Sequence, residues 1–212
     1  MHITTENEKK YFSQSGEDGI IEYIFDNIGT TNKVAVEIGV TAGDDFEDNT
    51  SNLCINKKWK CYWFDMIKIQ NKPKNCTFAK IKLNKDNIID VFKKLKIPKE
   101  FDLLSIDIDS NDYHIREKLS VYNPRVVIME YNGCFDHKTE YVMPYNENYI
   151  WKGYEMRDFG ASLLSYTLQA ERMGYDLVYC TENGVNAFFI RKDLNVFEKK
   201  TTKEVYKKLI WA

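Results

Sequence analysis

The sequence predicts an α/β fold with a Rossmann-like, seven-stranded, mostly parallel sheet that ends in an antiparallel C-terminal hairpin. Three observations predict this fold class. Short apolar runs alternate with helical patterns along most of the chain, as in a parallel sheet covered by helices. An Asn-Gly pair separates the last two apolar runs, which indicates a hairpin. The length of 212 residues suits one domain, so we expect 1–212 to fold as a single unit.

Composition and charge exclude several classes of protein. Hydrophobic residues make up 43% of the chain and aromatic residues 14%, which is enough for a core and argues against disorder. The formal net charge of −2 argues against nucleic acid as a partner. No apolar run approaches the roughly 20 residues of a membrane span. The polar stretch 1–12 does not resemble a signal peptide, so we expect a cytoplasmic protein.

Cysteine usage predicts buried free thiols. The five cysteines are an odd number, and no pair has C-x-x-C spacing. A structural zinc site or a disulfide framework is therefore not expected.

The first half of the chain predicts most of the parallel sheet. Ser15 is a suitable N-cap for a first helix, and Gly29 is a suitable stop. The remaining pattern predicts strands and helices in alternation. The predicted elements are helix 15–28, strand 34–38, helix 50–58, strand 61–64, strand 77–83, helix 84–95 and strand 101–106.

The second half begins with a strand at 125–129 and then loses its period. Segment 131–159 is aromatic and polar without a repeat, which is typical of a lid or binding loop. A helix at 161–173 is expected to stop at Gly174. The hairpin follows at 177–180 and 185–191, and a terminal helix is predicted at 201–211.

Acidic residues close four of the predicted parallel strands. Ligands of open α/β sheets bind beyond the carboxyl ends of the strands, so these acids mark the candidate site. They are Glu37, Asp65, Asp107 with Asp109, and Glu130.

The loop after the first strand favours a nucleoside ligand without a phosphate. Glu37 and Gly39 begin the pattern E-x-G-x-x-x-G, which is not the G-x-G-x-x-G fingerprint of dinucleotide sites. Four acids follow within 44–48, and they would repel a pyrophosphate. Asp65 ends the next strand, 28 residues after Glu37, where an acid commonly binds ribose hydroxyls. An ordinary turn between strand and helix is the alternative for the loop taken by itself.

Five stretches together resemble the class I S-adenosylmethionine methyltransferases, and among them the FkbM-type branch and its relatives in surface-polysaccharide gene clusters. The acidic glycine loop, the acid of the second strand and the terminal hairpin support the same likeness. One departure is Val40-Thr41, where a second tight glycine is expected. The five stretches are YFSQSGEDG at 11–19, SIDIDSNDY at 105–113, VIMEYN at 127–132, FGASLL at 159–164 and NAFFIR at 186–191.

The resemblance implies roles for the residues that match the family's pattern. The N-terminal helical segment 1–29 would cover the cofactor, S-adenosyl-L-methionine. Its methionine end would be lined by Gln14, Gly16 and Glu17, and its amino acid part held by Glu37 and Gly39. Ser51 and Asn52 would support that pocket, Asp65 would bind the ribose, and Asp107 would complete the cofactor set.

Two pairs of oxygen-bearing residues predict a metal site. Asp107 and Asp109 are two apart and can face one side at the end of a strand, and Glu130 and Asn132 repeat that spacing. Carboxylate and amide oxygens suit Mg²⁺ or Mn²⁺, which some related sugar O-methyltransferases use. The alternative is that Asp109 and Asn111 cap the next helix while Glu130 bonds the backbone.

Asp109 and His137 are the candidate catalytic residues, as metal ligand or general base. A solvated loop position is the alternative for His137, and a structural role is expected for His114. Aromatic residues of segment 131–159 either stack on an acceptor or pack the segment down. They are Tyr141, Tyr145, Tyr149, Trp151 and Tyr154.

The function expected from the resemblance is O-methylation of a sugar hydroxyl. The acceptor would be a nucleotide-linked or surface-glycan precursor, as in capsule or lipopolysaccharide synthesis. A nucleotide-sugar oxidoreductase and a non-catalytic nucleoside-binding module are the alternatives. The sequence leaves the oligomeric state open, including a homo-oligomer.

Overall fold

The sheet has the predicted architecture. The structure, a computed structural model, describes residues 1–41, 47–69, 71–153 and 157–209. Within these ranges seven strands form one sheet in the order β3-β2-β1-β4-β5-β7-β6, and β7 runs antiparallel to both of its neighbours. The strands are β1 Val34–Ile38, β2 Lys60–Asp65, β3 Cys76–Lys80, β4 Leu103–Ile106, β5 Val126–Glu130, β6 Tyr175–Cys180 and β7 Asn186–Arg191. The predicted fold class, a mostly parallel seven-stranded α/β sheet with an antiparallel C-terminal hairpin, is confirmed.

The helices are shorter than their sequence patterns. Their bounds are α1 Glu17–Ile28, α2 Ser51–Ile55, α3 Ile88–Lys94, α4 Asp112–Lys118, α5 Leu163–Arg172 and α6 Thr202–Val205. Short 3₁₀ turns lie at Thr5–Asn7 and Leu119–Val121. No helix in the described part of the chain has the length and apolar character needed to cross a membrane.

Several predicted helix ends are wrong. Gly16, not Ser15, is the residue before α1. The pattern at 84–87 is a turn in which Asn84 Oδ1 accepts the N–H groups of Asp86 and Asn87 at 2.9 Å. The predicted terminal helix at 201–211 is one turn long, and its last two residues lie outside the described ranges.

Two apolar layers cover the sheet. On one face the strand residues Val36 and Phe64 pack with α3, α4 and α5. On the other face Ala35 and Trp63 pack with α1 and α2. This alternation follows the two-residue period of a strand with helices on both sides.

Four of the five cysteines are buried, and Cys134 is half-buried.

The strand order reverses between β1 and β4, where open α/β sheets bind ligands. Ile38 at the end of β1 lies beside Phe64 of β2 and Ile106 of β4, and Ile106 lies beside Met129 of β5. The parallel strands β1, β2, β4 and β5 therefore end at one edge of the sheet. The acids at those ends meet there.

Candidate functional site

The carboxylate of Glu37 is bonded to the chain itself. Glu37 is 2% exposed. Its two oxygens accept the N–H groups of Asn49 and Thr50 at 2.9 Å, and Thr50 Oγ1 donates to Oε2 at 2.5 Å. That hydroxyl also accepts from Trp63 Nε1 at 2.7 Å. Burial and Asp48 raise the pKa of Glu37 well above its usual range, and the bonds from Thr50 and Asn49 oppose the rise. Glu37 therefore anchors the segment that leads into α2.

Gly39 joins the end of β1 to the end of β4. Its φ is +91°, a left-handed conformation that glycine adopts readily. A Cβ atom at this position would lie 1.5 Å from the carbonyl oxygen of Asp107. Its N–H donates to the carbonyl of Phe64 at 2.9 Å. A side chain is therefore excluded where three strand ends meet.

Asp48 and Asp65 flank the same loop. Asp48 Oδ1 accepts the N–H of Thr41 at 2.6 Å, and Asp65 Oδ1 accepts that of Ile67 at 2.5 Å. Burial raises the pKa of Asp48 to about 6, and the Asp65 carboxylate adds to the rise. The hydrogen bonds of Asp48 with Thr41 oppose it. Burial also raises the pKa of Asp65. With Glu37 these residues form the β1–β2 cluster, in which each acid has at least one N–H partner.

The first turn of α2 presents an unpaired donor. Asn52 is 2% exposed, and its Oδ1 accepts from Asn56 Nδ2 at 2.9 Å. Its Nδ2 is buried and finds no hydrogen-bond partner among the described residues. Ser51 Oγ lies 3.4 Å from Asp48 Oδ2. Since an unsatisfied buried donor is unfavourable, a ligand with a carboxylate would suit Asn52.

The N-terminal segment is fastened to β7 by Glu17. Its Oε2 accepts the N–H groups of Ser15 and Gly16 at 2.9 Å, and its Oε1 accepts from Asn186 Nδ2 at 2.9 Å. Glu17 is fully buried, whereas the side chain of Gln14 is exposed. Of these predicted cofactor residues, Glu17 is thus already bonded within the chain and Gln14 is accessible.

Three carboxylates converge at the ends of β4 and β5. One oxygen from each of Asp107, Asp109 and Glu130 lies within 4.8 Å of the others. Burial and Asp109 raise the pKa of Asp107 to about 8. Burial and Asp107 raise the pKa of Glu130 well above its usual range, and the two carboxyl groups hydrogen-bond to each other. Burial and Asp112 raise the pKa of Asp109 to about 6. In this β4–β5 cluster the acids face one another, and a bound cation would remove their repulsion.

A tight turn holds Asp109 in place. Asp112 accepts the N–H of Ile108 at 2.8 Å and that of Ser110 at 2.9 Å. Asp109 itself has φ +54°, which is uncommon for a residue other than glycine. Asn111 precedes α4 without a side-chain cap bond, and it pairs with the backbone of Asn146 instead. The alternative in which Asn111 caps the helix is therefore wrong.

The amide of Asn132 is used to hold the irregular segment. Its Nδ2 donates to the carbonyls of Arg157 and Phe159 at 2.8 and 3.0 Å, and its Oδ1 accepts the N–H of Cys134 at 3.1 Å. Asn132 is fully buried. All these bonds are made with the backbone, so in this structure Asn132 positions the segment.

The irregular segment is tied to the body of the fold. His114 Nε2 lies 2.8 Å from the carbonyl of Met143, and Lys82 donates to the carbonyl of Glu147. The hydroxyl of Tyr149 is buried and has no hydrogen-bond partner among the described residues. Burial raises the pKa of Tyr149, with smaller contributions from other groups that include Asp109. The backbone of Asn146, three residues before Tyr149, bonds the side chain of Asn111, which ties this segment to the turn that carries Asp109. Tyr154 lies outside the described residues.

His137 lies against the C-terminal segment. Its carbonyl accepts from Thr202 Oγ1 at 2.8 Å, and its ring centroid is 6.3 Å from that of Tyr206. These contacts are with α6 and the residue after it. Asp109, in contrast, lies within the β4–β5 cluster.

Two structural residues of the site were not singled out by their sequence patterns. Asp112 forms the turn around Asp109, and Asp48 accepts the N–H of Thr41. The run DIDSND at 107–112 carried a usable signal, since aspartate side chains often bond backbone N–H groups of nearby turn residues. Asp48 had no such local signal, because its partner is seven residues earlier.

Known proteins resemble this chain in structure. No family model and no curated protein matches the chain. Among the solved structures, the chain is similar to a crystal structure of a protein assigned as a ribosomal RNA methyltransferase, from Plasmodium falciparum. The identity is 15% and the TM-score 0.46, over 90% of this chain and 100% of the other. The fold assignment above comes from this chain's own strand order.

Proposed function

We propose that the chain is an S-adenosylmethionine-dependent methyltransferase that O-methylates a sugar hydroxyl. The observation that carries the proposal is the acidic edge of the sheet at the switch point between β1 and β4. Its acids fall into two groups, the β1–β2 cluster and the β4–β5 cluster. The first suits a cofactor site, and the second suits proton transfer or cation binding.

The charge of this edge favours a cationic cofactor. The buried Asp48 and the half-buried Asp107 both have raised pKa values, and near them an added positive charge is attracted and an added negative charge repelled. A sulfonium with an amino group meets that requirement, whereas the pyrophosphate of a dinucleotide does not. The proposal therefore favours methyl transfer over hydride transfer.

Several residues fit the parts of this cofactor. The unpaired Nδ2 of Asn52 suits the carboxylate of a methionine group, and Asp65 at the end of β2 suits ribose hydroxyls. The left-handed Gly39 keeps the space between strand ends free of a side chain. When bound, the cofactor supplies a methyl group on an electrophilic sulfonium.

The chain's contribution to the reaction is positioning and proton removal. Holding the acceptor in line can contribute roughly 7–11 kcal/mol. Asp109, whose pKa is raised to about 6, is mostly ionised at neutral pH and can accept the proton of the acceptor hydroxyl. His137 is the second candidate for this role.

A divalent cation fits the β4–β5 cluster. Asp107, Asp109 and Glu130 would hold Mg²⁺ or Mn²⁺ through carboxylate oxygens, which these hard ions prefer. The ion would supply positive charge that lowers the pKa of a neighbouring hydroxyl.

The sugar acceptor is proposed from the resemblance in sequence to the FkbM-type branch. The near-neutral charge of the chain is consistent with an acceptor other than nucleic acid. Tyr149, with its unpaired hydroxyl on the segment that Asn146 ties to the turn of Asp109, provides an aromatic face and a hydrogen-bonding group for a sugar.

Cofactor binding is the first test. Calorimetry should show binding of S-adenosylhomocysteine and none of NAD. Asp65→Ala should weaken binding of S-adenosylhomocysteine by about 1–3 kcal/mol, because hydrogen bonds to a charged group are lost. Binding of NAD without binding of S-adenosylhomocysteine would overturn the proposal.

Turnover is the second test. With methyl-labelled S-adenosylmethionine, label should enter nucleotide-linked sugars or glycan precursors. Chelation should abolish transfer, and added Mg²⁺ or Mn²⁺ should restore it. Transfer into RNA and not into sugars would refute the acceptor, and full activity after chelation would refute the metal.

A further inference from the structure

The hydroxyl group of Tyr166 is a buried polar group without a role in the proposed function. Tyr166 lies in α5 and is 1% exposed. Its hydroxyl has no hydrogen-bond partner in the described part of the chain. Since an unsatisfied buried donor is unfavourable, such a group in a native protein usually bonds an ordered water molecule or a ligand. Tyr166 therefore indicates a polar species beside its hydroxyl.

Gly160 locates this hydroxyl where the ends of β4 and β5 meet. Apart from the adjoining residues of the chain, a Cβ atom at Gly160 would have one neighbour within 4 Å among the described residues, the Tyr166 hydroxyl oxygen at 3.6 Å. The N–H of Gly160 donates to the carbonyl of Ser110, in the turn after β4, at 3.0 Å. The N–H of Asn132, just after β5, donates to the carbonyl of Ala161 at 2.8 Å. The hydroxyl thus borders a small space between the two strand ends.

Carboxylates lie around the same hydroxyl. Burial raises the pKa of Tyr166 well above its usual range, and the carboxylates of Asp112, Glu130 and Asp107 add to the rise. These charges would repel an anion and attract a group that donates hydrogen bonds. A water molecule accepts a hydrogen bond from the phenol and has two hydrogens for carboxylate oxygens. It therefore satisfies both kinds of group, as buried water does elsewhere in proteins.

We infer that Tyr166 is a positioning residue for the divalent cation: its hydroxyl donates to a water molecule beside Gly160, and this water donates to the carboxylates of Asp112 and Glu130. The inference rests on the cation site of the proposed function, in which Glu130 is a ligand. Tyr166 does not contact the ion and acts by fixing the orientation of that ligand. Groups that orient metal ligands in this way typically change the affinity for the metal by about 10- to 100-fold.

Binding of Mn²⁺ to the full chain tests this role. Free Mn²⁺ would be measured by electron paramagnetic resonance in titrations of the wild type and of Tyr166→Phe. This variant keeps the ring and should raise the Kd for Mn²⁺ by about 10-fold. The matched control is Tyr175→Phe, since Tyr175 is 2% exposed and its hydroxyl donates to the carbonyl of Pro124 at 2.6 Å, at the other end of β5. The control should keep the wild-type Kd.

The titrations separate failure of this inference from failure of the cation site. Equal Mn²⁺ affinity in the wild type and Tyr166→Phe would overturn the role of Tyr166 and leave the cation site in place. A wild-type chain that binds no Mn²⁺ would overturn both. An equal loss of affinity in Tyr175→Phe would show a general effect of removing a buried hydroxyl, and it would also overturn the inference.

Gly160→Ala tests the position of the water from its other side. The added methyl group would lie 3.6 Å from the Tyr166 hydroxyl oxygen and occupy the place of the water. It should weaken Mn²⁺ binding in the wild type but cause no further loss in Tyr166→Phe, because both substitutions remove the same water. Losses that multiply in the double variant would overturn the inference. A crystal structure of the Mn²⁺-bound chain without water between Gly160 and Tyr166 would do the same.

Discussion

The two acidic clusters at the edge of the sheet contain the same residue types but are built in opposite ways. In the β1–β2 cluster, Glu37 receives two backbone N–H groups and a hydroxyl. In the β4–β5 cluster, Asp107, Asp109 and Glu130 lie within 4.8 Å of one another, and the hydrogen bond between Asp107 and Glu130 requires a proton. An acid at a strand end thus either accepts hydrogen bonds that hold the following loop or keeps its oxygens available to a ligand. The direction of its hydrogen bonds, and not its place at the strand end, distinguishes the two.

The largest effect is expected from Asp109→Asn in the β4–β5 cluster. An amide cannot take a proton from the substrate hydroxyl as a carboxylate does, so kcat should fall by about 10²–10⁴-fold. The affinity for S-adenosylhomocysteine should stay within about twofold in calorimetry, because the proposed cofactor residues lie mainly at β1 and β2. A fall in cofactor affinity that parallels the fall in kcat would contradict the proposal that the β1–β2 cluster binds the cofactor and the β4–β5 cluster serves proton transfer.

The same substitution should destabilise the fold much more in the β1–β2 cluster than in the β4–β5 cluster. Glu37→Gln places an amide NH₂ against the donors of Thr50, and disrupting this buried network should lower the free energy of unfolding by about 3 kcal/mol. Glu130→Gln should lower it little or raise it, since Glu130 already shares a proton with Asp107. Urea unfolding of both variants measures the difference. Equal losses would show that the clusters are built alike.

Asp48 should make stability depend on pH. Its pKa is raised from 3.8 to about 6, so the folded state binds more protons than the unfolded state in that window. Stability should therefore fall as pH rises from about 4 to about 7. Asp48→Asn keeps an acceptor for the N–H of Thr41 and should make the fall smaller by about 2 kcal/mol. Urea unfolding at pH 4.5, 6 and 8 would show this, and an unchanged slope would contradict the role of Asp48.

The smallest effect is expected at Tyr149. Tyr149→Phe removes the unpaired hydroxyl and keeps the ring, so the KM for the acceptor should rise by about 3- to 10-fold, the equivalent of one hydrogen bond. The affinity for S-adenosylhomocysteine should not change. A lower cofactor affinity with an unchanged acceptor KM would indicate that segment 131–159 serves the cofactor site and not the acceptor site.

The fold followed from the sequence because its signals are local. Alternating apolar runs located every strand, and the Asn-Gly pair at 183–184 located the hairpin. Helix ends were less accurate. α2 stops at Ile55 because the chain turns back, with Lys58 at φ +59° and the N–H of Trp59 bonded to the carbonyl of Leu53. A hydrophobic pattern continues through such a turn and cannot mark it.

The site was predictable in its composition but not in its bonding. The sequence placed Asp107, Asp109 and Glu130 at neighbouring strand ends, and the structure brings them together. It also paired Asn132 with Glu130 by spacing, yet the amide of Asn132 holds the carbonyls of Arg157 and Phe159. Those partners lie more than 20 residues away, so no local pattern could indicate them. The roles of the predicted cofactor residues remain predictions.

Gly39 differs from other glycines with positive φ because its surroundings leave no space for a Cβ atom. A library of substitutions would show this difference. Gly29, Gly153 and Gly174 also have positive φ, but a Cβ atom there would meet nothing within 4 Å. Asparagine, which tolerates the left-handed region, should be enriched among the surviving variants at Gly153 and Gly174, whereas the ψ of −179° at Gly29 is a conformation that essentially only glycine adopts. At Gly39 even alanine would collide with the backbone of Asp107. In a selection for folded protein, position 39 should therefore remain glycine. The loss of all other residues there gives a reference value for a fully destabilising substitution, against which other positions can be scored.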